Sequence, residues 1–350
     1  MEFSLFYFAA EATEDSGQEL YRLLLDGARF AEERGFRAVW TPERHFHPFG
    51  GVYPNPSVTG AAIAAITERV GIRAGSVVAP LHSPLRVTEE WAVVDRLSGG
   101  RVGVSFASGW HPSDFALNPG EYYERRHSTL GTVEAVRRLW RGEALTLPDG
   151  EGRPVELTVY PRPAQAEPPV WLTSTGTTET FEAAGRIGAG VLTHLVRQDV
   201  DRLTRNIAAY RRALGPDRTG HVTLMVHTLL GADREAVREV VRPLLSEYLS
   251  TSLTLVGGAN GAQGARVPMD RVSASAKAAL LARSVDRYVE TAGLFGTVAD
   301  AVPLVERLAA AGVDEIAALI DFGVPLADAL AGLEDLDRLR KETARVRASA

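Results

Sequence analysis

The sequence predicts an α/β protein, a (β/α)8 barrel formed by one domain over residues 1–350, with insertions after the fourth and seventh helices. Three observations predict it. Eight short apolar runs alternate with amphipathic helical stretches, the pattern of a parallel sheet with right-handed crossovers. Eight repeats close a barrel rather than an open sheet. Several of the apolar runs also empty into polar clusters, and in a barrel all strand C-termini share one face. An open doubly wound sheet, the alternative, calls for a glycine-rich fingerprint after the first strand, and Ala9-Ala-Glu-Ala-Thr lacks one.

The elements follow in order. Residues 3–8 form the first strand, and 18–34 have helical spacing of Leu20, Leu23, Leu24, Ala28 and Ala31 before a stop at Gly35. Residues 36–40 form a strand that ends in Thr-Pro-Glu-Arg-His-Phe-His; a helix over 56–68 follows, capped by Asn55. Strand 71–78 leads to helix 85–97, and Ser98-Gly-Gly-Arg turns into strand 102–106. That strand dissolves into Ala107, Ser108 and Gly109 and a loop bearing Trp110, His111 and Asp114, where small residues let a ligand approach the backbone. Helix 126–141 precedes the first insertion, 142–169, which is dense in proline and glycine with a hairpin expected at Asp149-Gly150. Strands at 170–172, 190–194 and 222–230 alternate with helices at 177–187, 199–214 and 233–249. The second insertion, 251–269, is glycine-rich and reads as a mobile loop. Helices at 274–293 and 298–311, a strand at 315–320 ending in Asp321-Phe322-Gly323, and a helix at 326–347 complete the chain.

Composition narrows the function. With 45% hydrophobic and 23% charged residues the chain is ordinary globular material. A net charge of −6 argues against nucleic acid, which wants a basic face. The absence of cysteine excludes disulfides, thiolate metal sites and cysteine nucleophiles. Lysine occurs only at Lys277 and Lys341, away from the strand ends, which disfavours Schiff-base chemistry. No run of about 20 apolar residues predicts a membrane span, so a cytoplasmic location is expected.

The strand ends supply the candidate site: Glu43, Arg44, His45 and His47; Gly75 and Ser76, with His82 beyond, read as structural; Ser108, Trp110, His111 and Asp114; Thr173, Ser174, Thr175, Gly176 and Thr177; Thr193 and His194; Asp321 and Phe322. Hydroxyls and free N–H groups where 177–187 begins favour a phosphate, beyond what one N-cap requires. Gly75-Ser76 either fits a tight barrel layer or lets a flat ring lie on the backbone, flanked by Trp110 and His194. His45-Phe-His47 has the spacing of a metal pair, but Thr and Ser stand where a barrel hydrolase needs a further histidine, so no metal is expected.

Trp40-Thr-Pro-Glu-Arg-His-Phe, Asn55-Pro-Ser-Val-Thr, Ala79-Pro-Leu-His-Ser-Pro-Leu-Arg, Asp95-Arg-Leu-Ser-Gly-Gly-Arg-Val, Gly109-Trp-His-Pro-Ser-Asp-Phe and Leu294-Phe-Gly-Thr together resemble the bacterial-luciferase-like flavin monooxygenases. The resemblance runs over nearly the whole chain and is nearest to members attached to polyketide and nonribosomal-peptide pathways. It implies a TIM barrel that takes reduced FMN from a separate reductase and, with O2, works through a flavin C4a-peroxide. The outcome would be hydroxylation or Baeyer–Villiger oxidation of a secondary-metabolite intermediate, free or bound to a carrier protein. It implies a cis peptide at Gly75–Ser76 under the flavin, flavin contacts at Ala107, Ser108, Trp110 and His194, the FMN phosphate at Ser174, Thr175, Gly176 and Thr177, and closure by 251–269. It implies a homodimer, for which Ala61, Ala62, Ala64 and Ala65 offer a small-faced helix. Departures are Arg44 where luciferase has its catalytic histidine, Ala107 for its reactive cysteine, Ser108 for its phosphate-gripping arginine, and His194 for a tryptophan. Light emission is therefore not expected. Arg44, His45 and His111 are the catalytic candidates: Arg44 to stabilise an anion, the histidines to move protons near neutrality. An F420-dependent oxidoreductase on the same fold and a non-catalytic flavin-binding protein are the alternatives.

Overall fold

In the computed structural model, residues 1–8, 21–48, 50–259 and 274–349 are described. Eight parallel strands close a barrel: β1 (Glu2–Phe6), β2 (Ala38–Thr41), β3 (Gly71–Val78), β4 (Val102–Ala107), β7 (Val170–Ser174), β8 (Gly190–His194), β9 (Val222–Leu230) and β11 (Glu315–Leu319). They pair in the order β11-β1-β2-β3-β4-β7-β8, and β9 bridges β8 back to β11. The intervening β5 (Leu145–Pro148) and β6 (Pro154–Leu157) make an antiparallel hairpin in the first insertion, at the expected turn. Sequence reading did not anticipate β10 (Leu294–Gly296), which runs parallel to the end of β9. Three residues are too few to show a periodicity.

The helices are α1 (Arg22–Arg34), α2 (Pro56–Ala64), α3 (Pro84–Ser98), α4 (Arg125–Arg141), α5 (Thr178–Arg186), α6 (Val200–Leu214), α7 (Arg234–Ala259), α8 (Ala274–Thr291), α9 (Val298–Ala310) and α10 (Leu326–Ser349). Their ends obey local chemistry. Asn55 accepts from the Ser57 and Val58 N–H groups to start α2, and Gly35, at φ 73°, ends α1 in the left-handed conformation that glycine tolerates. The expected loop at 251–269 starts differently: 251–259 are the last turns of α7, while 260–273 lie outside the described residues. No helix among the described residues is long and apolar enough to cross a membrane.

Side chains alternate in and out along each strand, and those inside form layers. The lowest layer is polar at its centre. Arg73 donates to buried Glu315 (Nη1–Oε2, 2.6 Å), which also accepts from Trp40 Nε1 (3.0 Å) and Ser4 Oγ (2.5 Å). The guanidinium lies over both the Trp40 and Trp171 rings, at 4.9 and 4.7 Å. Gly103 and Gly190 make room for the Trp171 indole, since a Cβ on either would fall within 2.8 Å of it. Arg73, Glu315 and the indoles thereby fill the floor of the barrel.

Candidate active site

β2 leads into Glu43, Arg44 and His45. The buried Glu43 carboxylate gathers neighbours from two strand ends: His45 Nε2 (2.8 Å) and His82 Nε2 (2.5 Å) both donate to Oε1, and the Val78 N–H donates to Oε2 (2.8 Å). Burial pushes the Glu43 carboxyl up, but these hydrogen bonds outweigh it and hold the group below the usual carboxylate range. His82 is pushed down by burial and, more strongly, up by Glu43, for a net rise. Among the described residues Glu43, His45 and His82 have ligand-type atoms within 4.8 Å of one another. Glu43 thereby brings together His45 and His82, from two different strand ends.

The wall made by β3, β4 and β7 is small and hydroxylated. The peptide bond between Gly75 and Ser76 is cis, as the resemblance implies, and the β3–β4 register shifts there. A Cβ on Gly75 would come 2.6 Å from the Phe6 ring and 3.2 Å from Trp40, so only glycine fits over these aromatics. Ser76 and Ser105 both hydrogen-bond the Thr173 hydroxyl, the latter at 2.7 Å. Ala107 ends β4, and Gly109, at φ 70°, carries the chain past the Phe115 ring into the Trp110 loop.

Arg44 lies beside the Trp110 loop. Its side chain is 3% exposed, and the guanidinium lies 4.7 Å over the Trp110 ring. Asp114 approaches it only to 3.8 Å, and Arg44 Nε, Arg44 Nη1 and Asp114 Oδ1 make no hydrogen bond. Burial pushes the Asp114 carboxyl up and the Arg44 guanidinium down, each partly offset by the other. A buried cation with unused donors is suited to an anion or to a developing negative charge. His111 Nδ1 accepts from the Ser113 N–H and caps the short 3-10 turn Pro112–Leu117.

The phosphate candidates sit where β7 meets α5. Ser174 is buried and accepts from the Gly176 N–H (3.2 Å), Thr175 is exposed, and Thr177 pairs with Thr180 rather than capping the helix. The first N–H groups of α5 thus remain free of a side-chain cap, the arrangement that receives anions. Behind them Asn206 donates to the Gly176 carbonyl and to Gln198, which in turn donates to Thr193 and to the His194 carbonyl, fixing the turn. Gly176 has φ 105°, and a Cβ there would press on Gln198 at 3.1 Å. His194 is half-buried; desolvation, with Arg197 nearby, lowers it to about 4, so it is neutral near pH 7.

The sequence reading passed over a further group. His227, inside β9, is fully buried; its Nδ1 lies 2.8 Å from the Tyr288 hydroxyl of α8, and Nε2 has no partner. Tyr248 of α7 and Phe322 stand edge-on to the ring at 4.4 and 5.3 Å. Tyr248 feels the charges of Asp321 and Arg44, which links this group to the Arg44 side of the mouth. Asp321 itself accepts the Phe8 N–H. The available signal was a single imidazole in an otherwise apolar run.

The family model described as luciferase-like monooxygenase matches residues 1–315. The oxygenase component of a flavin-dependent trigonelline monooxygenase from Acinetobacter baylyi is 26% identical over 242 residues, 67% of this chain and 66% of its own length. An F420-dependent hydroxymycolic acid dehydrogenase from Mycobacterium tuberculosis is 29% identical over 203 residues, 56% of this chain and 55% of its own. Among solved structures, the monooxygenase RslO1 from Streptomyces bottropensis superposes with a TM-score of 0.75 at 24% identity, covering 97% of this chain and 98% of its own. The oxygenating constituent of a type II Baeyer–Villiger enzyme, 3,6-diketocamphane monooxygenase from Pseudomonas putida in complex with FMN, has a TM-score of 0.73 at 15% identity, with 97% of both chains covered. These superpositions show the barrel fold.

Proposed function

The chain belongs to the luciferase-like monooxygenase family, and from that premise we propose that it is the oxygenase of a two-component, FMN-dependent system. It would draw reduced FMN from a separate reductase and hydroxylate a secondary-metabolite intermediate or oxidise it in the Baeyer–Villiger manner. The observation that carries the reading is the buried Arg44 side chain, with unused donors, over the Trp110 ring of the loop that continues the small, hydroxylated wall. That wall accepts a flat ring, and the uncapped start of α5 behind Ser174, Thr175, Gly176 and Thr177 accepts its phosphate. Bound reduced FMN would supply the activation of O2.

The chain's own residues do the rest. Arg44 stabilises negative charge in a place largely closed to water, where a fixed cation counts for more than in solution. His45 holds a proton at Nε2 against Glu43 and is the nearest proton carrier to Arg44 in the sequence. Neutral His194 adds no positive charge of its own on the β8 side. A carrier-bound substrate would enter by the same mouth. A homodimer would form through the exposed apolar residues Val58 and Ala62 of α2 and Val93 and Leu97 of α3; light scattering that gives only monomer at micromolar concentration refutes it.

The test mixes the protein anaerobically with reduced FMN, admits O2, and follows flavin absorbance. Reoxidation markedly slower than that of free flavin supports the reading, and Arg44→Met should remove most of the delay. Reoxidation at the free-flavin rate with full release of hydrogen peroxide refutes it. Binding of F420 but not FMN would transfer the chain to the deazaflavin side of the fold, where one of its relatives lies.

A further inference from the structure

His227 takes no part in the functions assigned above, yet its surroundings specify what it offers. The imidazole is wholly buried inside β9, with Nδ1 2.8 Å from the Tyr288 hydroxyl. A neutral phenol is the better donor of the pair and an imidazole lone pair the better acceptor, so the Tyr288 hydroxyl donates a hydrogen bond to Nδ1 and the ring carries its own proton on Nε2. Burial pushes the Tyr288 hydroxyl well up and keeps it protonated, and burial, with His194 close by, lowers His227 to about 3. Nε2–H is therefore a neutral donor. It is buried and meets no acceptor, a condition that native proteins seldom leave uncompensated. The rings of Tyr248, Tyr288 and Phe322 enclose it edge-on at 4.4, 5.4 and 5.3 Å.

A neutral donor among aromatic rings selects its ligand. A carboxylate or phosphate is better served by a cation, and Arg44 is near enough for Tyr248 to feel its charge. A hydroxyl would bring a proton that itself needs an acceptor, whereas a carbonyl oxygen needs only the donor. We infer that His227 Nε2–H receives a carbonyl oxygen of the substrate, and that Tyr288 is the positioning residue that holds the imidazole in the donating tautomer. The substrate is on this account a ketone or related carbonyl compound with an apolar skeleton. Calling that ligand the substrate rests on the monooxygenase reading; the contact itself does not.

The experiment uses the full chain with 15N-labelled histidine, titrated with cyclohexanone and camphor and, as controls, with cyclohexanol and borneol. The wild type should show His227 protonated at Nε2 and bare at Nδ1, and the ketones should move the Nε2 resonance. His227→Phe should weaken ketone binding about fivefold to tenfold, the worth of one neutral hydrogen bond. His227→Gln, which restores an N–H donor, should recover most of it, and Tyr288→Phe should give a mixture of tautomers with intermediate affinity. A purely structural histidine would lack the ketone-dependent shift, and His227→Phe would leave ketone affinity unchanged. A proton on Nδ1 in the wild type, ketone affinity untouched by His227→Phe, or failure of both ketones to bind overturns the inference. Should His227→Phe fail to fold, the wild-type and Tyr288→Phe spectra decide alone. FMN affinity, read by fluorescence in the same samples, is the separate arm: its absence refutes the monooxygenase reading and leaves the ketone contact standing or falling by its own spectra.

Discussion

Acid should destabilise this protein through His227, and the size of the effect follows from its burial. The ordinary histidine value is 6.5, and in the fold the group is lowered to about 3. Below pH 6.5 the unfolded chain takes up a proton that the folded chain refuses, so stability falls as the pH falls. At pH 5 the gap is about 1.5 pH units, and at about 1.36 kcal/mol per unit the loss attributable to His227 is about 2 kcal/mol. His227→Phe removes this contribution. The variant also leaves the Tyr288 hydroxyl buried without its partner, a cost of about 1–3 kcal/mol that is independent of pH. The informative quantity is therefore the slope, not the offset. Urea unfolding at pH 7.5 and pH 5 should show the wild type losing about 2 kcal/mol more than the variant between the two. His82 titrates in both proteins and cancels in the comparison, and His194, whose charge bears on His227, titrates in the fold only near about 4, below the range compared. A wild-type-to-variant difference equal at both pH values would mean that the imidazole protonates freely in the fold, and the account of a neutral, enclosed donor would fail.

Other outcomes follow from the same geometry. Arg73→Met should cost about 3–5 kcal/mol in chemical denaturation, because Glu315 would stay buried without its counter-charge; a loss under about 1 kcal/mol would show the pair to be hydrated. Gly75→Ala should cost about 1–3 kcal/mol, since its methyl would sit 2.6 Å from Phe6, and should weaken FMN binding in fluorescence titration. Gly120→Ala, which meets no atom within 4 Å, is the control and should be nearly silent. The Glu43–His82 ion pair should contribute in full between about pH 4.5 and 6.5, fading as pH rises through the raised His82 value and as it falls through the lowered Glu43 value. His82→Gln should flatten the unfolding midpoint between pH 6 and pH 9, and an unchanged profile would sink that assignment.

Sequence periodicity carried the barrel because each of its strands is a short apolar run bounded by turn signals, and glycine or asparagine caps marked many helix ends. The strand-end rule likewise placed Arg44, Gly75, Ser76 and Ser174 on one face before any coordinates. What stayed hidden depends on distance in the chain. Glu43 and His82 are 39 positions apart and meet only because β2 and β3 are neighbours. Arg73 and Glu315 are 242 apart and meet across the barrel floor. His227 escaped notice because all nine residues of β9 are buried, so the run shows no alternation to single out an inward position. The continuation of α7 to Ala259 was masked by Gly257 and Gly258, which lower helix propensity without forbidding a helix.

The filled floor of the barrel has a consequence for the order of events. With Arg73 packed on two indoles and tied to Glu315, this end of the barrel is shut, and any chamber above it is a cup with a single rim. Whatever settles deepest has to arrive first and depart last, and a later guest blocks the way out for an earlier one. Traffic through such a vessel is a stack rather than a queue, and the kinetics of loading and release should carry that signature in ordered binding.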